Sequence, residues 1–379
     1  MQNYSWSIKA ALLTGVTVAC LFTFGCGGGN NGTTTGSQNT YAYVALADQI
    51  PGAVGCLAQF QVSSSGTLTP LSPATLGTNE AIPFGGVPLA VDPSGRYLFL
   101  AGNGGYGEVG QYVIGSDGTI SPNATPYASN VMTDPSSIAF TGSGLAIVTN
   151  GVVLNSFSLS SAGSLTPLNT APVTNANSMV IDPSGKFLLI ADENYNAFAV
   201  YSISANGTLT LNGTIPSENS PWSLEFSPKG MLYSVDYGAG TITEYAINAS
   251  TGIPTKVNSF TTGSGVGTSL PQGLVFNSTG TYAYVTNEGE NTVSQFAVSP
   301  TTGAFRRIGV DVVTGKAPSP IAVDPSGRFV FVGNLVDATI SQFIINEDGT
   351  LSPNGVVAGG PNPLNPDTPF PVAIAFSKQ

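Results

Sequence analysis

The chain has 379 residues, with only 8% charged, 47 Gly, 27 Pro and no His. Its formal charge of −11 speaks against a polyanion such as DNA or RNA as a partner. Without histidine, every Ser/His/Asp or Cys/His catalytic scheme and every His-ligated metal site is excluded.

Residues 1–25 read as an export signal. Lys9 supplies the positive start, and ALLTGVTVACLFTFG (11–25) is apolar. That run falls short of the roughly 20 residues a membrane-spanning helix needs. Gly25-Cys26, followed by a Gly/Asn/Thr-rich tether over 26–40, resembles a bacterial lipoprotein signal. The resemblance implies that Cys26 becomes a lipid-bearing N-terminus, with Cys20 as the rival position. The expected place is then the bacterial cell envelope, periplasmic or on the outer surface, with a lipid anchor in the membrane. Beyond the signal and Cys26, one thiol remains, at Cys56. An exported chain with one spare Cys has no internal disulfide framework, so burial and hydrogen bonds must hold the fold.

From residue 41 onward the chain repeats itself. AVDPSGRYLFLAGN (90–103) returns as AVDPSGRFVFVGN (322–334), with looser copies at 180–192 and 275–287. Aligned on the turn glycine, the units fall at Gly95, Gly144, Gly185, Gly230, Gly280 and Gly327, 41 to 50 residues apart. Each unit holds four short apolar runs. One precedes the turn and one follows it; the third is centred on Tyr112, Phe157, Tyr201, Tyr245, Phe296 or Phe343, and the fourth follows a glycine. Four short strands in a unit of about 40–50 residues is the sequence form of a propeller blade. The start (41–48, 57–63, 66–72) supplies strands two to four of a blade, and PVAIAFS (371–377) supplies a first strand. The prediction is an all-β, seven-bladed β-propeller over 41–379, with four antiparallel strands per blade. The C-terminal strand completes the N-terminal blade and closes the ring.

Tyr284-Val285-Thr286-Asn287 spells the YVTN repeat of bacterial surface propellers. The wider pattern, IAVDPSGRFVFVGN followed by ISQF and GTLSP, resembles the seven-bladed lactonase-like family of 6-phosphogluconolactonase and carboxymuconate cyclase type. This resemblance covers 41–379. It implies an Arg-His pair after the Pro of a first strand and a Glu after the Asn of the next strand. In blade six those positions hold Gln272, Gly273 and Glu288, so one element of three is kept. Glu193, after Asp192 in blade four, occupies a similar slot.

Loops after second strands and before first strands share one face of such a ring. Asp48, Asn103, Asn150, Asp192, Asp236, Asn287 and Asn334 end the second strands there, and capping of the following turn explains them. Glu108, Glu193, Glu288, Glu290 and Asp337 make that face acidic, whereas Arg96, Lys186 and Arg328 follow the turns of the opposite face. A sugar phosphate needs an Arg or Lys clamp, so a phosphorylated lactone suits this face poorly. No calcium-loop spacing is present, and no metal or cofactor is expected. Trp222, at the start of a first strand in blade five, either packs against a neighbouring blade or offers a stacking platform for a ligand. Two functions follow. The first is a monomeric envelope module that binds a protein, a polysaccharide or a small molecule. The alternative is a lactone hydrolase with Glu288 or Glu193 as general base.

Overall fold

The computed structural model describes residues 39–379, apart from 48–54, 79–81, 83–87, 103–107, 124–126, 129–134, 266 and 361–369. The expected signal, Cys20, Cys26 and nearly all of the tether lie outside the described residues, as do Asp48, Asn103 and the side chain of Glu108.

Seven antiparallel sheets form the seven blades. Blade five shows the plan: Pro221–Phe226, Leu232–Asp236, Thr241–Ile247 and Pro254–Thr261, each paired with the next. In blades two and six the outer strand is broken into two pieces that both pair with the third strand. Blade one takes Phe370–Lys378 as its inner strand, paired with Thr40–Ala47. The predicted closure is therefore present. Among the described residues the one helical element is a single 3₁₀ turn, Glu288–Glu290, and no helix is long and apolar enough to cross a membrane.

The repeated phrase is scaffold. In the first copy, Asp92 Oδ1 accepts the N–H groups of Arg96 and Tyr97 at 2.9 and 2.8 Å, and Gly95 sits at φ 75°. Asp182 and Asp324 hold their turns in the same way. Only a residue without a Cβ adopts that φ freely, which is why the glycine recurs. Second strands such as Phe187–Asp192 are buried along their whole length because a blade packs on either side.

In blades one and six, a tyrosine of the second strand and a glutamine of the third both reach into the next blade, and blades five and seven keep one of the two contacts. The hydroxyls of Tyr43, Tyr233 and Tyr284 donate to the carbonyls of Gly118, Gly303 and Gly349, each at 2.8 Å. Gln59 Oε1 accepts Ile120 N–H at 2.8 Å, and Gln342 Oε1 accepts Leu68 N–H at 2.7 Å across the ring closure. Blade five departs from this plan. The row Glu225–Tyr233–Glu244 stands where blade six has Val275–Tyr284–Gln295, and burial pushes both carboxyls up.

The ends of the second strands refine the capping expectation. Asn150 Oδ1 does cap its own turn, accepting Val152 and Val153 N–H. Asn287 instead donates to Thr292 and Ser294 of the third strand, and Asn334 to Thr339 and Ser341. In blade five, Asp236 accepts from Ser234, Thr241 and Thr243. Burial pushes its carboxyl from 3.8 up to about 7, against the lowering effect of the three hydroxyls. A folded-state value above the unfolded one gives stability that is complete below the ordinary value and lost as pH rises through 7. Asp236→Asn copies blades six and seven and removes this loss. At pH 8 its melting temperature should exceed that of the natural protein by about 5 °C. At pH 4 the gap should close. Equal gaps at both pH values in calorimetry would contradict the assignment.

Candidate functional site

The residues singled out in the sequence converge on one face of the ring, over blades four to six. The local backbone explains how. Ser220, Leu270 and Ala317 each precede the proline that opens a first strand, and each holds a positive φ, at 57, 44 and 52°. This conformation is strained for a residue with a side chain. Their carbonyls accept the N–H of the residue leaving the second strand of the same blade: Tyr237 at 2.9 Å, Glu288 at 3.1 Å and Leu335 at 3.0 Å. The exit residue is thereby pinned at the rim.

Glu288 starts the 3₁₀ turn and is half-buried rather than splayed into solvent. Its Oε2 accepts the Gln272 amide and, at 3.2 Å, the Tyr237 hydroxyl. Among the described residues neither an acid nor a cation is bonded to it. Burial pushes its carboxyl above the usual range, and the hydrogen bonds from Gln272 and Tyr237 pull the other way. Glu193 occupies the matching slot in blade four. Its two oxygens accept Asn177 Nδ2 at 2.7 Å and Ser220 Oγ at 3.0 Å, and burial raises it as well. Burial, and the charges of Glu288 and Glu193, push the Tyr237 hydroxyl up.

Trp222 is 2% exposed, and Tyr237 stacks on it at 4.9 Å with the rings 24° apart. The indole is thus a support for Tyr237 within the core of this rim, with little surface of its own to offer a ligand. Tyr237, Ser220 and Asn177 were not singled out from the sequence. The blade alignment held the signal for Tyr237: the residue after the terminal Asp or Asn reads Gly151, Glu193, Tyr237, Glu288 and Leu335 in blades three to seven.

At the positions where the family resemblance implies Arg-His, the structure shows replacement and closure. Gln272 is 3% exposed, with its Oε1 buried and without a hydrogen-bond partner among the described residues. An unpaired buried acceptor costs about 1–3 kcal/mol, and Asn287 Oδ1 and Asn334 Oδ1 of the scaffold are in the same condition among the described residues. A Cβ on Gly273 would lie 2.7 Å from Ser319 O and 2.8 Å from Ile321 Cγ2. A histidine there requires the backbone to move.

The face is acidic, as expected, but not free of cations. Lys316 belongs to the loop before the first strand of blade seven, where its N–H donates to Asp337 at 2.8 Å. Among the described residues it is the one basic residue in these loops. Among them, too, no group of three or more Cys, Asp or Glu is placed to hold a metal ion. The chemistry on offer is a raised carboxylate beside an amide and a phenol, suited to activating water.

A family model described as lactonase, 7-bladed beta-propeller matches residues 146–363. A 6-phosphogluconolactonase of Bacillus subtilis (strain 168) is 26% identical over 185 residues, which cover 44% of this chain and 52% of that protein. A 6-phosphogluconolactonase of Serratia proteamaculans (strain 568) is 25% identical over 208 residues, covering 52% of this chain and 62% of that protein. The match thus spans about half to three-fifths of these curated relatives. Among solved structures, the periplasmic gluconolactonase of Pseudomonas aeruginosa superposes with a TM-score of 0.68 at 18% identity, covering 89% of this chain and 99% of that one. That likeness speaks for the fold. Together the comparisons favour the lactonase alternative over the binding module.

Proposed function

Because the chain belongs to the lactonase seven-bladed β-propeller family, we propose that it hydrolyses an uncharged lactone with Glu288 as general base. The observation that carries this reading is the half-buried Glu288 carboxylate, held through one oxygen by Gln272 and Tyr237. Its other oxygen, Oε1, remains to take a proton from water. As the proton leaves, the water oxygen bonds to the lactone carbonyl carbon. The tetrahedral adduct then collapses and the acyl–oxygen bond of the ring breaks. The proton returns from Glu288 to the departing ring oxygen, giving the open hydroxy acid and the carboxylate base again.

The charge of the rim supports an uncharged substrate. Glu193, Glu218, Glu288, Glu290 and Asp337 stand in these loops, where Lys316 is the one basic residue among the described residues, while Lys256 and Arg307 reach in from outer strands to Glu218 and to Gly263 O. The amide of Gln272 cannot neutralise a phosphate as a guanidinium would. We therefore expect kcat/KM on glucono-δ-lactone to exceed that on its 6-phosphate by more than tenfold at low salt. Gln272→Arg should narrow the ratio. Parallel pH-stat assays decide this, and a preference for the phosphorylated lactone would overturn the substrate class while leaving Glu288 its role.

A further inference from the structure

We propose that Tyr237 is the positioning residue that aims Glu288 and keeps it ionised as the base. The proposal rests on the lactone hydrolase reading of Glu288. Three contacts fix the phenol. The Tyr237 backbone N–H donates to Ser220 O at 2.9 Å, its ring stacks on the buried Trp222, and its hydroxyl donates to Glu288 Oε2 at 3.2 Å. Ser220 is itself tied to Glu193, so blade four steadies the same group. With Tyr237 and Gln272 both on Oε2, the carboxylate cannot swing, and Oε1 is the oxygen left for water.

The repeat does not require this hydroxyl. Tyr43, Tyr233 and Tyr284 are scaffold tyrosines, and each donates to a backbone carbonyl of the next blade. Tyr237 crosses instead to a carboxylate of blade six, from a slot that Gly151 and Leu335 fill in blades three and seven. A hydrogen bond to the charged form of an acid favours that form and offsets the burial that opposes it. The phenol is itself pushed up by burial and by Glu288, so it remains a donor wherever the base is ionised. Among the described residues no charged group adds to the shift of Glu288. Glu193 of blade four is held by Asn177 and Ser220, and Glu290 of the same turn as Glu288 accepts Ser264 N–H.

The test compares pH–rate profiles of the full-length protein and Tyr237→Phe on glucono-δ-lactone, with spontaneous opening subtracted. Phe keeps the ring stack and deletes only the donor. The acid limb should move to higher pH by about one unit, while the plateau above it changes less than about twofold. A merely structural role would lower the rate equally at every pH, and that result, or an unmoved limb, would overturn the proposal. Carbon-13 NMR titration of the glutamate carboxyls, with Glu288 assigned through Glu288→Gln, reads the same shift without any substrate. If the natural protein opens no lactone but the Glu288 titration moves in Tyr237→Phe, the reaction is wrong and the coupling stands. If turnover is present and the titration does not move, Tyr237 has no such role.

Discussion

Removal of residues 370–379 will abolish the cooperative melting transition of the full chain and leave a protein that aggregates. The strand Phe370–Lys378 pairs with Thr40–Ala47 from Thr40↔Lys378 to Ala47↔Phe370, and it is the inner strand of blade one. Phe370 and Val372 pack in the core between blades one and two, and Ile374 in the core between blades seven and one. At about 1.5–3 kcal/mol per buried side chain, these three alone approach the 5–15 kcal/mol that holds a typical domain. The ladder along Thr40–Ala47 would also lose its partner and present an open edge to other chains. Ser377 Oγ and Gln379 Nε2 further bind Gly95 O of blade two, at 3.3 and 2.8 Å, so the deletion unties a second blade. Calorimetry and size-exclusion chromatography of the truncated protein check this. A monomer with an unchanged melting temperature would show that the ring closes without this strand.

Glu288→Gln should lower kcat/KM on an uncharged lactone by about 10²–10⁴, the usual contribution of one general base. The amide matches the carboxylate in shape and can still accept from Tyr237 and Gln272, so folding should be unaffected. It cannot take the proton. Glu193→Gln should cost less than about tenfold, because both oxygens of Glu193 already hold donors from Asn177 and Ser220. In the natural protein the rate should fall as pH drops through the raised value of Glu288, since the protonated form is no base. Steady-state rates with far-ultraviolet circular dichroism as the folding control separate the two variants. Equal losses in both would place the chemistry elsewhere.

The ring itself was legible in the sequence because its constraints are local. Each of the six blades written in one piece needs a glycine with positive φ at its inner turn, and four apolar runs that must be buried, so the unit repeats where physics demands it. The unequal ends of the chain, three strands at one and one at the other, encode the closure. The site was legible in part. Glu288 and Glu193 follow from their slot after a terminal Asn or Asp, and the structure brings both to Tyr237. Tyr237 was missed because a search for acids passes over a phenol, although the blade alignment sets it in the same slot. The burial of Trp222 could not be read, since it depends on how the strand bulges between Pro221 and Ser223 and on Tyr237 folding back over the indole. Lys316 was passed over because no repeated motif contains it. Glu244 was visible as ITEY among the SQF repeats, yet its burial depends on Gly303 of the next blade lying against it.

The measurement that bears most directly on the central claim is base uptake in a pH-stat as full-length protein meets glucono-δ-lactone over a wide concentration range. Saturable opening well above the spontaneous rate, lost in Glu288→Gln, is the expected result. A rate equal to spontaneous opening at every concentration, or saturable turnover that survives Glu288→Gln undiminished, would contradict it.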